Sequence, residues 1–160
     1  MAKSVELTRT VDLPLETVHA VASSEEYLLT VDDASTSKLV VTEAEREVDA
    51  DGTVRARVVA ARQKDDGSPG FAMEQTTDVT VIVDDGFTSS TVTPLPKGMG
   101  TMTVVMAYTR DGEGSVHVDA EIIAEVGIPL VGGKIARKLV DGADKTVDNG
   151  LDRIVRLAGR

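Results

Sequence analysis

Residues 128–159 read IPLVGGKIARKLVDGADKTVDNGLDRIVRLAG, and this stretch decides the fold. At about 100° per residue, its apolar side chains fall on one side of a helix and its charged side chains on the other. The apolar side comprises Ile135, Leu139, Ala143, Val147, Leu151, Ile154 and Leu157, and the charged side Lys134, Arg137, Asp141, Asp144, Asp148 and Asp152. The pattern predicts one long amphipathic helix whose apolar face must be covered by another part of the chain.

Small residues occupy the middle of that apolar face. Ala143, Thr146 and Gly150 lie near its centre, and Gly142 lies at its edge. A glycine inside a helix costs about 1 kcal/mol relative to alanine, so two of them so close together require a reason. Close packing on a sheet would explain them, and so would room for a ligand.

The rest of the chain has the period of two that is typical of strands. Apolar-rich runs occur at residues 5–11, 38–48, 53–63, 73–83, 88–95, 101–108 and 115–126. Asp-Gly pairs, which favour tight hairpin turns, stand at 51–52, 66–67, 85–86 and 111–112. Residues 14–31 have the start signals of two short helices. The sequence therefore predicts a single α+β domain over residues 1–160, with a curved antiparallel sheet of about seven strands, two short helices after strand 1 and a long C-terminal helix. A long helix across a curved sheet is the helix-grip arrangement.

Composition excludes several classes of function. The 160-residue chain is 41% hydrophobic and 28% charged, which is ordinary for a globular protein, and its formal net charge is -10. That charge argues against binding to nucleic acid or to an anionic membrane. There is no cysteine. No run approaches the 18 or so apolar residues of a membrane span, so we expect no stable membrane insertion and a cytoplasmic location.

Two motifs that resemble cofactor sites fail on inspection. Gly133 and Lys134 follow a strand as in a phosphate loop, but the glycine required five residues earlier is Ile128. His117, Asp119 and Glu121 share one strand face, yet that face is opposite the apolar one and should be exposed to solvent. We therefore expect no metal and no cofactor.

Alternation also predicts which side chains face the helix. The expected lining of a cavity beneath it consists of Val81, Met102, Val104, Met106, Tyr108, Val118, Ala120, Ile122, Leu139, Ala143 and Gly150. Arg46, Gln75 and Thr77 also fall on inward positions and are candidate polar contacts. Buried polar groups need partners, which could be each other, water or a ligand. No catalytic residue is identified.

The order of elements and the step Val126-Gly127-Ile128-Pro129-Leu130-Val131-Gly132-Gly133-Lys134 into the last helix resemble the START-like superfamily. Within it, the chain is most similar to an uncharacterised actinobacterial family with an Ile-Pro-Leu-Val-Gly-Gly-Lys-like step. The resemblance covers essentially the whole chain. It implies a hydrophobic cavity between sheet and terminal helix, which the superfamily uses for lipids, sterols, polyketides or other apolar molecules.

Three hypotheses about function follow. The first is a binding or carrier protein, more a binder than an enzyme, that holds an apolar small molecule or lipid beneath the terminal helix. The second is a cyclase- or aromatase-like enzyme acting on a polyketide-type substrate, which requires Tyr108, Arg46, Gln75 and Thr77 to converge in one cavity. The third is a protein-interaction module without a ligand, whose acidic outer face docks a protein partner.

Overall fold

A computed structural model describes residues 2–30, 39–63, 66 and 69–159. The strands are β1 (Ala2–Val11), β2 (Leu39–Val48), β3 (Val54–Gln63), β4 (Pro69–Val79), β5 (Gly86–Pro94), β6 (Gly100–Arg110) and β7 (Val116–Val126). The helices are α1 (Leu15–Ala22), α2 (Glu25–Leu28), α3 (Gly132–Asp141) and α4 (Ala143–Ala158), and a single 3-10 turn, Pro96–Gly98, lies between β5 and β6.

All seven strands form one antiparallel sheet in the order β1-β7-β6-β5-β4-β3-β2. The strands from β2 to β7 are consecutive neighbours, because short turns join them, and β1 returns to pair with β7 over its whole length. The predicted α+β helix-grip fold is thereby confirmed.

The C-terminal helix differs from the predicted single rod. It begins at Gly132 and is divided at Gly142, whose backbone angles of φ -89° and ψ 7° lie outside the helical range. Glycine has a low helix propensity, so a break in the helix costs less free energy at this residue than at its neighbours. The backbone and side chain of Thr146 both donate to the Gly142 carbonyl and start α4.

The division gives the two helices separate partners. Ala136 of α3 packs against Ala124 and Val126 at the end of β7. Val147, Leu151 and Ile154 of α4 are at most 6% exposed and belong to the main core, together with Leu15 and Val18 of α1. Arg9 of β1 donates to Asp144 and Asp148 and ties α4 to the sheet edge.

Candidate ligand cavity

A cavity of about 260 Å³ lies between the inner face of the sheet and α4. Strands β3 to β6 supply most of its lining, α2 and the following Thr30 close one side, and three residues of α4 close the other. The sheet residues are Val58, Ala60, Met73, Gln75, Thr77, Ser89, Thr91, Thr93, Met102, Val104, Met106 and Tyr108, and the helix residues are Tyr27, Leu28, Thr146, Gly150 and Arg153.

Strand register brings an apolar row and a polar row side by side in this lining. Met102, Val104 and Met106 of β6 are directly opposite Thr93, Thr91 and Ser89 of β5. Thr77 of β4 is in turn opposite Thr91. Residues directly opposite in an antiparallel pair point to the same face, so the sheet side of the cavity has an apolar row on β6 next to a hydroxyl-bearing row on β5 and β4.

The hydroxyl-bearing row, formed by Thr77, Ser89, Thr91 and Thr93, is named the hydroxyl strip. The side-chain oxygens of Thr77 and Thr91 are 3.0 Å apart and share a hydrogen bond. Thr93 is only 6% exposed. Each hydroxyl can both donate and accept, so the strip can meet either kind of polar group on a ligand.

Tyr108 brings a further hydroxyl to the cavity. Its side chain is 2% exposed, and its ring is stacked on Phe87 with centroids 4.4 Å apart. Burial, with a smaller contribution from nearby Tyr27, raises the pKa of Tyr108 well above its ordinary value of 10.0. Tyr108 therefore stays protonated, and a phenol hydroxyl can both donate to and accept from a ligand.

Arg153 closes the rim of the cavity by clamping α4 to α2. Its guanidinium donates to the Tyr27 carbonyl at 2.9 Å and to the Glu26 carbonyl at 3.1 Å, at the end of α2. It also lies over the Tyr27 ring, 5.0 Å from the centroid, at cation–π distance. Gly150 faces the same ring, because a Cβ placed on it would lie 3.5 Å from the Tyr27 hydroxyl oxygen.

Several residues expected from the sequence meet in this lining. They are Met102, Val104, Met106, Tyr108 and Gly150, together with the two polar candidates Gln75 and Thr77. The cavity lining also contains three residues that were not predicted from the sequence, Ser89, Thr91 and Thr93. The alternation of β5 could have predicted them, because it places them on the same face as the buried Phe87.

Other expected lining residues lie elsewhere, and their placement at the cavity is corrected. Val118, Ala120 and Ile122 of β7, and Ala143 of α4, are at most 3% exposed and are packed inside the main core. Leu139 belongs to α3, which the break at Gly142 directs onto the second cluster at the end of β7. These residues therefore fill space between helix and sheet instead of bordering the cavity.

Val81 and Arg46 are also displaced. Strand β4 ends at Val79, so Val81 lies in the following loop, 36% exposed, and borders a separate surface hollow. Arg46 is on the inward side of β2, opposite Ala56, but its Nε donates to the Ser23 carbonyl at 2.8 Å. It borders a groove with Glu45 and Arg57 and is absent from the cavity lining.

One face of β7 carries residue types that can bind metals. His117 bonds to Asp119 on the solvent side of β7, with 3.0 Å between the ring nitrogen and the carboxylate oxygen. Among the described residues, no three His, Asp or Glu side chains are grouped closely enough to hold a metal ion. Within the same ranges, no helix is long and apolar enough to cross a membrane.

A family model described as "Protein of unknown function (DUF2505)" matches residues 6–156. The chain belongs to the DUF2505 family. No curated protein matches this DUF2505 chain.

Solved structures show that this DUF2505 protein has the START-like fold. A START superfamily protein from Mycobacterium smegmatis is 16% identical with a TM-score of 0.58, over 96% of this chain and 98% of its own. A protein of unknown function from Staphylococcus aureus is 13% identical with a TM-score of 0.63, over 99% and 94%. The Zhui aromatase/cyclase of a Streptomyces species is 15% identical with a TM-score of 0.58, over 100% and 95%. At these identities the likeness establishes the fold alone.

Proposed function

We propose that this DUF2505 protein binds a small apolar molecule with polar groups along one edge, in the cavity between β3–β6 and α4. The observation that carries the proposal is the cavity itself, with Met102, Val104 and Met106 in one row of its lining and the hydroxyl strip in the next. Ligand sites are typically apolar hollows with a few well-placed polar groups, and this lining has that composition. The START-like relatives, one of them an aromatase/cyclase, support the same class of ligand.

The cavity volume indicates the size of the ligand part that fits beneath α4. An apolar cavity of about 150 Å³ holds one benzene ring, and sites for drug-sized molecules span about 300–1,000 Å³. The volume of about 260 Å³ falls between these values. We therefore favour a compound of about two fused rings over a sterol or a diacyl lipid.

Polar recognition in this proposal depends on Tyr108 and the hydroxyl strip. A protonated phenol in the cavity lining would donate to a ligand carbonyl or hydroxyl, since burial keeps the proton on Tyr108. The strip would bond to a second polar group. Leaving a buried polar group unpaired costs about 1–3 kcal/mol, so a ligand that satisfies Tyr108 gains over one that does not.

A cyclase-like reaction is a second candidate, favoured by the joint presence of Tyr108, Gln75 and Thr77 at one cavity. Arg46, the fourth residue of that hypothesis, bonds instead to the Ser23 carbonyl. Proton donation would therefore fall to Tyr108 alone, and binding is the simpler role.

The test uses one substitution at two neighbouring positions of β6. Val104 faces the cavity, opposite Thr91, whereas Val105 faces the other side of the sheet, opposite Ser90. We expect the parent protein and Val105→Phe to bind a neutral solvatochromic naphthalene ketone with a blue-shifted emission. We expect Val104→Phe to bind it at least about tenfold more weakly, because the added ring fills the cavity. Equal binding by both variants, or no dye binding by the parent, would refute the proposal.

A further inference from the structure

Two loops meet at the end of the sheet beyond α3. The loop at residues 95–99 joins β5 to β6, and the loop at residues 127–131 joins β7 to α3. The Gly127 amide donates to the Met99 carbonyl at 2.8 Å and holds the loops together. These two loops and the exposed face of α3 as far as Lys138 are named the tip.

The tip carries an apolar side chain that is fully exposed and held in an unfavourable backbone conformation. Leu130 has a relative exposure of 105% and a φ of 70°, in the left-handed region that residues with a Cβ avoid. Hydrogen bonds from Val131 to the Pro129 carbonyl and from Gly132 to the Ile128 carbonyl fix this turn. Val131 beside it is 47% exposed. Strain of this kind at an exposed apolar residue points to a role outside the packing of the fold.

Charge at the tip is opposite in sign to that of the whole chain. Neither residues 126–140 nor residues 94–104 contain an aspartate or glutamate, although the net charge is -10. These two segments contain four exposed cations, Lys97, Lys134, Arg137 and Lys138. Along the chain, the nearest acidic residues are Glu125 before this region and Asp141 at the end of α3.

We propose that the tip docks on a bilayer containing anionic phospholipids, with Leu130 and Val131 entering the interface and the four cations facing the headgroups. An apolar point surrounded by cations is the arrangement that binds such surfaces, since burial and electrostatic attraction act together. A stable protein interface buries about 800 Å² on each partner, and a single protruding turn does not offer such a surface. Acidic residues elsewhere would keep the rest of the molecule away from the membrane, so the average charge does not exclude this contact. The proposal rests on the tip alone and is independent of the ligand cavity.

The test is cosedimentation with vesicles of phosphatidylcholine alone or of phosphatidylcholine mixed with phosphatidylserine. We expect the parent protein to bind the mixed vesicles only, and the bound fraction to fall as salt is raised. We expect Leu130→Gly to bind about tenfold more weakly, because its apolar side chain is lost. Its Tm should be unchanged or higher by up to about 2–4 °C, since glycine accepts this φ without strain.

Two further variants make the test specific. The double variant Lys134→Glu with Lys138→Glu should also lose at least about tenfold in binding and should show a weaker dependence on salt. Val83→Ser removes a 61% exposed apolar residue at the opposite end of the sheet and should bind like the parent. The proposal is overturned if the parent does not bind anionic vesicles, or if Val83→Ser loses as much binding as Leu130→Gly. It is also overturned if Leu130→Gly abolishes self-association of the protein and leaves vesicle binding intact. A lower Tm for Leu130→Gly would also overturn it, because Leu130 would then support the fold.

Discussion

Gly150→Ala should stabilise the protein, because the position has the space that an alanine needs. A Cβ at Gly150 would lie 3.5 Å from the Tyr27 hydroxyl oxygen, which is ordinary van der Waals contact, and would meet nothing nearer. Alanine is favoured over glycine in a helix interior by about 0.8–1.0 kcal/mol. With no clash to offset that gain, Tm should rise by about 2–4 °C for a chain of this size.

Urea unfolding followed by far-ultraviolet circular dichroism measures this gain, and Gly100→Ala is its control. Gly100 has a φ of 145°, and a Cβ there would lie 1.9 Å from the Glu125 carbonyl oxygen. That variant must displace backbone and should be less stable than the parent. A lower urea midpoint for Gly150→Ala would refute the reasoning, since α4 would then lie closer to Tyr27 than the structure places it.

Three further substitutions test the core, the charges and the cavity. Ile154→Ala, at a fully buried position, should lower the free energy of unfolding by about 2–5 kcal/mol. Val155→Ala, at a 47% exposed position, should change it by less than about 0.5 kcal/mol, and equal losses in urea unfolding would contradict the assignment of the buried face. Hydrogen bonds from Arg110 hold the pKa of Glu16 below its ordinary value of 4.5, so the ionised carboxylate stabilises the fold above that pH. Glu16→Gln should therefore have a lower Tm than the parent at neutral pH, and the difference should disappear as the pH falls through the lowered pKa; a constant difference throughout would exclude this ion pair. Thr91→Val should weaken binding of the naphthalene ketone about five- to tenfold and lower Tm by up to about 2–4 °C, because Thr77 loses its hydrogen bond to Thr91. Unchanged affinity would remove the hydroxyl strip from the site.

The fold could be predicted from the sequence because its signals are periodic and local. Apolar and polar residues alternate along much of β6 and β7, and Asp-Gly pairs mark the turns between several neighbouring strands. Residues 128–159 have a single apolar stripe. The break at Gly142 was not predicted, because a glycine at the edge of a stripe is compatible with a continuous helix. The break accompanies the separate packing of α3 on β7 and of α4 on α1, which are long-range contacts that a local pattern does not contain.

The cavity could be predicted only in part. Alternation placed Met102, Val104 and Met106 on the inner face, but it cannot distinguish a residue under empty space from one under a packed helix. Val118 and Ile122 have the same alternating pattern as Val104. They do not line the cavity, because other side chains of the main core pack against them. Alternation along β2 predicted that Arg46 would face the cavity. Its long side chain instead extends to the Ser23 carbonyl, outside the cavity lining.

Methionine methyl groups provide the most direct measurement of ligand binding in the cavity. Three of the five methionines, Met73, Met102 and Met106, line it, whereas Met99 lies in the loop between β5 and β6. In protein labelled with ¹³C at the methionine methyls, titration with the naphthalene ketone should shift the NMR signals of these three and saturate. The signal of Met99 should stay in place. Shifts confined to Met99, or no saturable shift of Met73, Met102 and Met106, would contradict binding beneath α4.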